Sequence, residues 1–463
     1  MWAVGILIAL PISAFFVYAT LFVSDLPAIP NHDDLIPPKV EIADEDNAYF
    51  YFKEINGTAQ QPATRFKIIE SNADKTFSTK DYLAKEIDEI TTEEHAMAKE
   101  IIEQNREVLD FAATGLSMQY QDPAFVNPAE IVFDLDGDRA VYTYFQVLSR
   151  VVTTEARYEY SQGNDLVALR IIINWLNFLD YSKDSNPSLT ETLVFQVVKK
   201  NLTAEMIYLI QNSNSLDVTQ LISLANGLGK YKKGGEEQLI NSMKMEFVHT
   251  FATAKFFKNE LNENIEYSYQ HNRSMGYMFN HFRCIIDIIH EERNDDSCQK
   301  TFETLSKINI PMAWESAATY PKYMKTPDKL PLEFYIKNQA IFNWASPNSV
   351  GNILYTGYAS FFSRAIEKTK RQESLFSMAV TIAALKAYYL DIGSHAPSLD
   401  VLVPDYIFEL PLDPFDGEII KYSSSNKTVY SVGVDGVDDG GNLPEQGENW
   451  SKGADLAFSA NFK

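Results

Sequence analysis

Basic residues are scarce in this 463-residue sequence: 40 lysines and arginines face 63 aspartates and glutamates, a formal net charge of −23. No basic tract is present to displace counterions from a nucleic-acid backbone, which excludes DNA and RNA as partners. An acidic surface favours solubility and affinity for cations, and says nothing of fold. Cysteine is nearly absent, with two residues, a usage compatible with export but not diagnostic of it. No GxSxG, HExxH, P-loop or dinucleotide fingerprint occurs, so no small-molecule substrate is indicated. Apolar residues, by contrast, are plentiful: 45% are hydrophobic and 13% aromatic, enough to bury cores. The length predicts two or three domains.

Charge is missing altogether from Trp2 to Val23, "WAVGILIALPISAFFVYATLFV". As a helix this run spans roughly 33 Å, enough for a bilayer core, and membrane helices tolerate a proline such as Pro11. A cleaved signal peptide is the rival, with Val17-Tyr18-Ala19 as its small-residue site. The apolar run continues through Leu21, Phe22 and Val23, and no basic segment precedes it, so an uncleaved anchor over 1–24 is expected. Residues 25–48 then carry seven acidic groups and one lysine, Lys39. A long following domain usually translocates, which predicts a single-pass inner-membrane protein with its bulk on the periplasmic side. "LPAIPNHDDLIPP", within 25–45, reads as a stiff stalk.

A mainly α-helical body is expected over 46–365. "TTEEHAMAKEIIEQNREVLDFAATGL" opens with a capping box, Thr91 to Glu94, and continues with helical spacing through Ile101, Val108 and Leu109. "RAVYTYFQVLSRVVTTEARYEYSQ" and "NDLVALRIIINWLNFLDYSK" are amphipathic segments joined at Gly163, a pair resembling a tetratricopeptide-like hairpin. Further helical segments follow without a fixed 34-residue period, so a TPR-like, irregular solenoid or bundle is the expectation. In "FNHFRCIIDIIHEE", Cys284 between isoleucines suits a buried thiol; a turn at Asn294–Asp296 would instead let it pair with Cys298. Asn-X-Ser/Thr tripeptides begin at Asn56, Asn201, Asn272, Asn426 and Asn449, and matter only in a eukaryotic secretory host.

The last segment, 366–463, changes character. Leu375, Met378, Ala379, Ile382, Leu385 and Tyr389 form one helical stripe, and Gly393 stands where a C′ glycine would end it. Pro411, Asp413 and Pro414 fix extended and turn conformations before an Asp416-Gly417 turn. "EIIKYSS" and "TVYSVGV" alternate as antiparallel strands across "SSNK".

"LVPDY", "LPLDPFDG", "KYSS" and "YSVGVDGVDDGG", in this order, resemble the C-terminal globular domain of the major (G-type) pseudopilin of type II secretion systems, over about residues 370–460. "DEDNAYFYFKEI" and the helix pair containing "EARYEYSQGNDLVALRIIINWL" resemble bacterial envelope proteins in which an anchor and helical body precede a pseudopilin-like tail. The resemblance implies a small α+β tail with a short antiparallel sheet and calcium in the acidic loop after the last strand. Carried over, the ligands are Asp435, Asp455 in "GADLAF" and the Val432 carbonyl, with Asp438 and Asp439 as further acidic candidates. Calcium takes several hard oxygens, with glycines letting the backbone fold round it. A solvated aspartate-glycine turn is the plainer alternative. The chain departs from the family in the long insert "NLPEQGENWSK" and in an anchor without the usual glutamate, far from the tail, which argues against assembly into a fibre.

Two enzyme readings fare poorly. "EIVFDLDGD" places Asp134 and Asp136 as a haloacid-dehalogenase-type phosphatase would, yet Asp138 replaces the usual threonine or serine. Glu246 with His249, and Asp287 with His290, have the spacing of di-iron bundles without the further glutamates required. The expected role is therefore non-enzymatic: an anchored envelope protein with protein partners, linked through its tail to type II secretion. A hydrolase or metalloenzyme in the helical body, or a true pseudopilus subunit, are the alternatives.

Overall fold

The computed structural model describes residues 28–56, 66–128, 131, 143–181, 185–228, 234–260, 271–289, 349–442 and 455–462. The expected anchor over 2–23, the aspartates 134 and 136, His290, Cys298 and the insert after Asn442 lie outside them. The protein is mainly helical with one small antiparallel sheet, as expected. Its helices are α1 (Ala48–Asn56), α2 (Thr79–Leu83), α3 (Thr92–Gln104), α4 (Arg106–Gly115), α5 (Thr143–Ser161), α6 (Asp165–Tyr181), α7 (Leu189–Asn212), α8 (Val218–Leu228), α9 (Gly234–Glu260), α10 (His271–Ile289) and α11 (Ser349–Ile392). The strands are β1 (Lys421–Ser423), β2 (Thr428–Ser431) and β3 (Leu456–Ser459).

The chain divides into two compact units. One comprises Met1–Pro38, Asn127–Leu135 and Met243–Arg364. Within it, residues of the proline-rich stretch are docked: the His32 ring lies 4.8 Å from the rings of Phe251 and Phe279, and Leu35 is buried. Arg283 on α10 grips the Asp34 carboxylate with two hydrogen bonds of 2.7 Å and donates a third to the Asn31 carbonyl. Such a fork-to-carboxylate geometry fixes orientation as well as charge. Cys284 is buried and disulfide-bonded rather than a free thiol.

The second unit comprises Lys39–Val126, Asp136–Ser242 and Ala365–Lys463. The capping box at Thr91 forms in both directions, with the Glu94 side chain returning to the Thr91 amide. The helix expected to continue to Leu116 breaks at Asn105, whose buried amide bonds the Ile69 backbone on both sides and the Ile101 carbonyl. A side chain holding neighbouring backbone competes with the helical ladder. α5 and α6 form the expected hairpin, closed at Gly163 with φ +81°. The Gly163 amide bonds the Tyr160 carbonyl and the Asn164 amide the Glu159 carbonyl, the paired bonds of a Schellman end.

One hydrophobic core runs through this unit, joining residues from Ala48 to Leu228 with residues from Leu375 to Phe462. The reason is the C-terminal half of α11. The expected stripe is buried from Leu375 to Leu385 and half-buried at Tyr389, but Gln372, Ser374, Ser377, Thr381 and Lys386, which point elsewhere around the helix, are buried too. A helix covered on all sides belongs to a core rather than to a surface. Among the described residues, Ala365–Ile392 is the one stretch long and apolar enough to cross a membrane, and 72% of its apolar window is buried within the protein.

Among the described residues, buried cations join neighbouring helices: Lys199 on α7 pairs with Asp180 on α6 at 2.8 Å, and two others reach further. Arg157 on α5 pairs with Glu205 on α7 and donates to the carbonyls of Tyr82, Leu83 and Lys85 at 3.3, 3.0 and 2.9 Å, closing the end of α2. Lys386 on α11 donates to the carbonyls of Ile210 at 2.7 Å, Gln211 at 3.1 Å and Ser213, the C-terminus of α7. A cation there satisfies carbonyls that have no helical donor and meets the negative end of the dipole.

Candidate functional site

The tail after α11 is organised by turns. Gly393, with φ +76°, ends the helix as expected, its amide bonding the Tyr389 carbonyl. "LPLDPFDG" then folds around Asp413, which is completely buried. Its carboxylate accepts from the Phe415 amide at 3.0 Å, the Ser431 hydroxyl at 2.8 Å and the Val432 amide at 2.9 Å. One carboxylate thus ties the Asp416-Gly417 turn to the end of β2. The same backbone is closed by the Asp413 amide on Glu418 and the Gly417 amide on Asp413, at 2.7 and 2.8 Å.

The expected hairpin forms, with Lys421 opposite Tyr430 and Ser423 opposite Thr428. β3, not anticipated from the sequence, adds on the other side of β2, with Val429 opposite Phe458. This places Asp455 one residue before a strand and brings it beneath the acidic loop. Asp455 is 3% exposed; its Oδ2 accepts from the Asp439 amide at 3.0 Å and the Gly441 amide at 2.8 Å. Among the described residues no donor reaches its Oδ1. Burial raises the Asp455 carboxyl above the ordinary carboxylate range; the Gly441 amide opposes this, while the Asp439 and Asp438 charges add to it.

Gly441 is required where it stands. Its φ is +66°, and a Cβ there would meet the Tyr430 ring at 2.2 Å. The Tyr430 hydroxyl, pushed up to about 12 first by burial and then by its bond to Asp438, donates to that carboxylate at 3.1 Å. The Gly440 amide binds the same Asp438 oxygen at 2.9 Å.

The five residues carried over by resemblance therefore separate. Asp455, Asp438 and Asp439 share one corner of the loop. Asp435 lies on its exposed turn, with Oδ1 taken by the Val437 amide at 3.1 Å. Val432 is buried at the Asp413 junction through its amide. Among the described residues no group of three or more acidic, histidine or cysteine side chains converges in a metal-holding arrangement, Glu246 and His249 included. Chemically the corner offers one unpartnered, charge-stressed carboxylate oxygen with two carboxylates nearby. Sequence reasoning placed Asp413 in a turn but missed its tie to Ser431 and Val432, and it missed β3. The Pro-Leu-Asp-Pro spacing was the available signal for the first; "LAFS" is too short to announce the second.

The tail also exposes apolar side chains. Phe408 is 76% exposed, Ile392 54% and Leu390 44%, with Val401 and Val403 nearby in sequence. Tyr406 holds this loop to the helix end, its ring 5.3 Å from Tyr388 and its hydroxyl 2.7 Å from Asp391. Comparison with protein-family models, curated proteins and solved structures returns no match, so these residues must carry the functional argument themselves.

Proposed function

We propose that the protein is an envelope component, anchored through residues 2–23 with its bulk on the periplasmic side, that works through protein contacts rather than catalysis. The observation that carries this reading is the number of large apolar side chains that the tail leaves exposed, Leu390, Ile392, Val401, Val403 and above all Phe408. Large apolar groups left in water beside a well-buried core mark interaction surfaces. The disulfide at Cys284 agrees with an oxidising compartment. On this reading the α5–α6 hairpin is TPR-like, and the tail is a pseudopilin-like module tied to type II secretion.

Calcium belongs to the same proposal. The orphaned Asp455 Oδ1 and the nearby Asp438 and Asp439 carboxylates suit a hard divalent cation, which would relieve their mutual repulsion. Asp435 and the Val432 carbonyl would complete the set carried over by resemblance. Aspartates 438, 439 and 455 hold the loop by amide contacts without an ion, and the ion would stiffen it further.

A photocrosslinker placed at Phe408 of the full chain in its native membranes tests the interaction reading, with Glu103, an exposed position on α3, as control. A discrete heterologous adduct at Phe408, competed away by unlabelled wild-type chain but not by the Phe408→Glu chain, and absent at Glu103, is expected. A ladder of identical subunits would favour a fibre instead. Equal labelling at both positions, or none, removes the contact surface.

A further inference from the structure

Beside the tail lies a cavity that the contact reading leaves unused. It occupies about 400 Å³ between α7, the C-terminal half of α11 and β3. That volume falls within the range of small-molecule sites. Its apolar wall is built by Val197 and Ala204 of α7, Leu375 of α11, and Leu456 and Phe458 of β3. Around it stand Lys200, Lys368 and Arg371, with Glu367 as the one acidic residue. Glu367 is bound to Arg371 at 2.9 Å, one turn apart on the helix. Lys200 and Lys368 are exposed and have no carboxylate partner among the described residues. On a chain of net charge −23 this is a local reversal of sign at the mouth of an apolar hole.

Two glutamines complete the lining. Gln196 and Gln372 are each 3% exposed, and the carbonyl oxygen of each is buried with no hydrogen-bond donor among the described residues. The Gln372 amide nitrogen is held by the Thr203 hydroxyl oxygen at 3.1 Å, which fixes that side chain in place. Both oxygens are closed to solvent within the wall, so the chemistry open to an entering molecule is the apolar lining and the basic side chains around it.

We propose that this cavity binds a single-chain anionic amphiphile, a carboxylate- or phosphate-headed molecule with a short apolar tail. Its head pairs with Lys200 and Lys368 at the mouth. The tail lies along Leu375, Leu456 and Phe458. Apolar walls supply affinity, while a few placed polar groups orient the ligand. β3 contributes to the wall, so occupancy would also brace the sheet edge that carries Asp455.

The test measures binding of decanoate and decyl phosphate to the full chain, with decanol and inorganic phosphate as single-feature controls. Uptake by the apolar N-terminal run is common to every variant, so the comparison between variants carries the result. One or both anionic amphiphiles should bind the wild type. Lys200→Glu/Lys368→Glu should weaken them by about tenfold or more, and Ala204→Phe should block them by filling the wall. Both variants should melt within the range of the wild type; Lys368→Ala, an exposed single change, serves if the double variant does not fold. The stronger head tells a carboxylate from a phosphate ligand. The proposal is overturned if neither amphiphile binds, if decanol or inorganic phosphate binds as tightly as they do, or if the substitutions leave binding unchanged.

Discussion

Replacing Asp413 is the sharpest trial of how the tail is held together. The side chain is fully buried, and its two oxygens serve one hydroxyl and two backbone amides at 2.8 to 3.0 Å. Hydrogen bonds to a charged group are worth about 1.5–3 kcal/mol net each, and three sharing one carboxylate will not sum. The Ser431 hydroxyl keeps a fallback in the Ser374 hydroxyl at 3.2 Å, whereas the Val432 amide is buried and has no second acceptor among the described residues. Asp413→Ala should therefore cost about 3–5 kcal/mol, the range of a broken buried network. Asp413→Asn retains one acceptor oxygen but turns an amide donor toward another donor, and should cost about 2–3 kcal/mol. A chain of two units has no single unfolding free energy, so the readout is hydrogen exchange of peptides covering 411–432. A loss of about 3 kcal/mol appears there as roughly a hundredfold faster exchange. Asp416→Ala, which breaks an ion pair with Lys421 on a partly exposed turn, should change exchange by less than about 1 kcal/mol. If Asp413→Ala behaves like Asp416→Ala, the carboxylate is not the tie.

Other substitutions probe other parts of the molecule. Arg157→Ala or Glu205→Ala alone strands a buried charge and should cost about 3–5 kcal/mol, while Arg157→Met/Glu205→Leu should recover at least about 2 kcal/mol of the summed loss. Additive losses in chemical denaturation would show that the pair is not coupled. Burial pushes the His281 imidazole down to about 4, so the folded chain binds fewer protons than the unfolded chain between that value and 6.5. Stability around α10 should then fall as pH drops through this window, by up to about 3 kcal/mol, and His281→Leu should flatten the fall; an unchanged pH profile in exchange of 271–289 argues against it. Asp455 has its carboxyl raised, so its charge costs stability above the ordinary carboxylate pKa and the cost is relieved as pH falls. Asp455→Asn should therefore melt no lower than the wild type in chelator, yet lose the gain that calcium gives, about 2.7 kcal/mol at a hundredfold excess over Kd. A wild type indifferent to calcium defeats the cation reading.

What the sequence disclosed is what local chemistry decides. Thr91 and Glu94 announce a helix start because the capping box closes within four residues. Gly163, Gly393 and Gly417 all take positive φ at the predicted breaks, because L side chains rarely do. Lys421 and Thr428 end a hairpin readable from alternation. The misses required distant partners. Asn105 breaks a well-patterned helix because Ile69, 36 residues away, offers it a backbone pair. Residues 31–35 dock because Arg283 and a ring cluster wait more than 200 residues later. Asp455 lies with Asp438 and Asp439 at one corner of the loop, and its position depends on β3 pairing with β2, a non-local event that four short residues do not advertise.

The burial of α11 bears on which assembly the protein supports. A subunit that polymerises through its tail helix needs a face of that helix free for its neighbours. From Ser374 to Ala387 every side chain is buried within its own chain, and Lys386 is committed to three carbonyls at the end of α7. Freeing that face would expose the apolar side chains from Leu375 to Leu385 and strand those carbonyls, a loss well beyond the marginal stability of an ordinary domain. Contacts are therefore better sought where the structure leaves apolar groups uncovered, at Phe408 and the end of α11. On the proposed contact reading, a heterologous adduct at Phe408, 76% exposed, is then the expected outcome, and a ladder of identical subunits built through α11 would refute this argument.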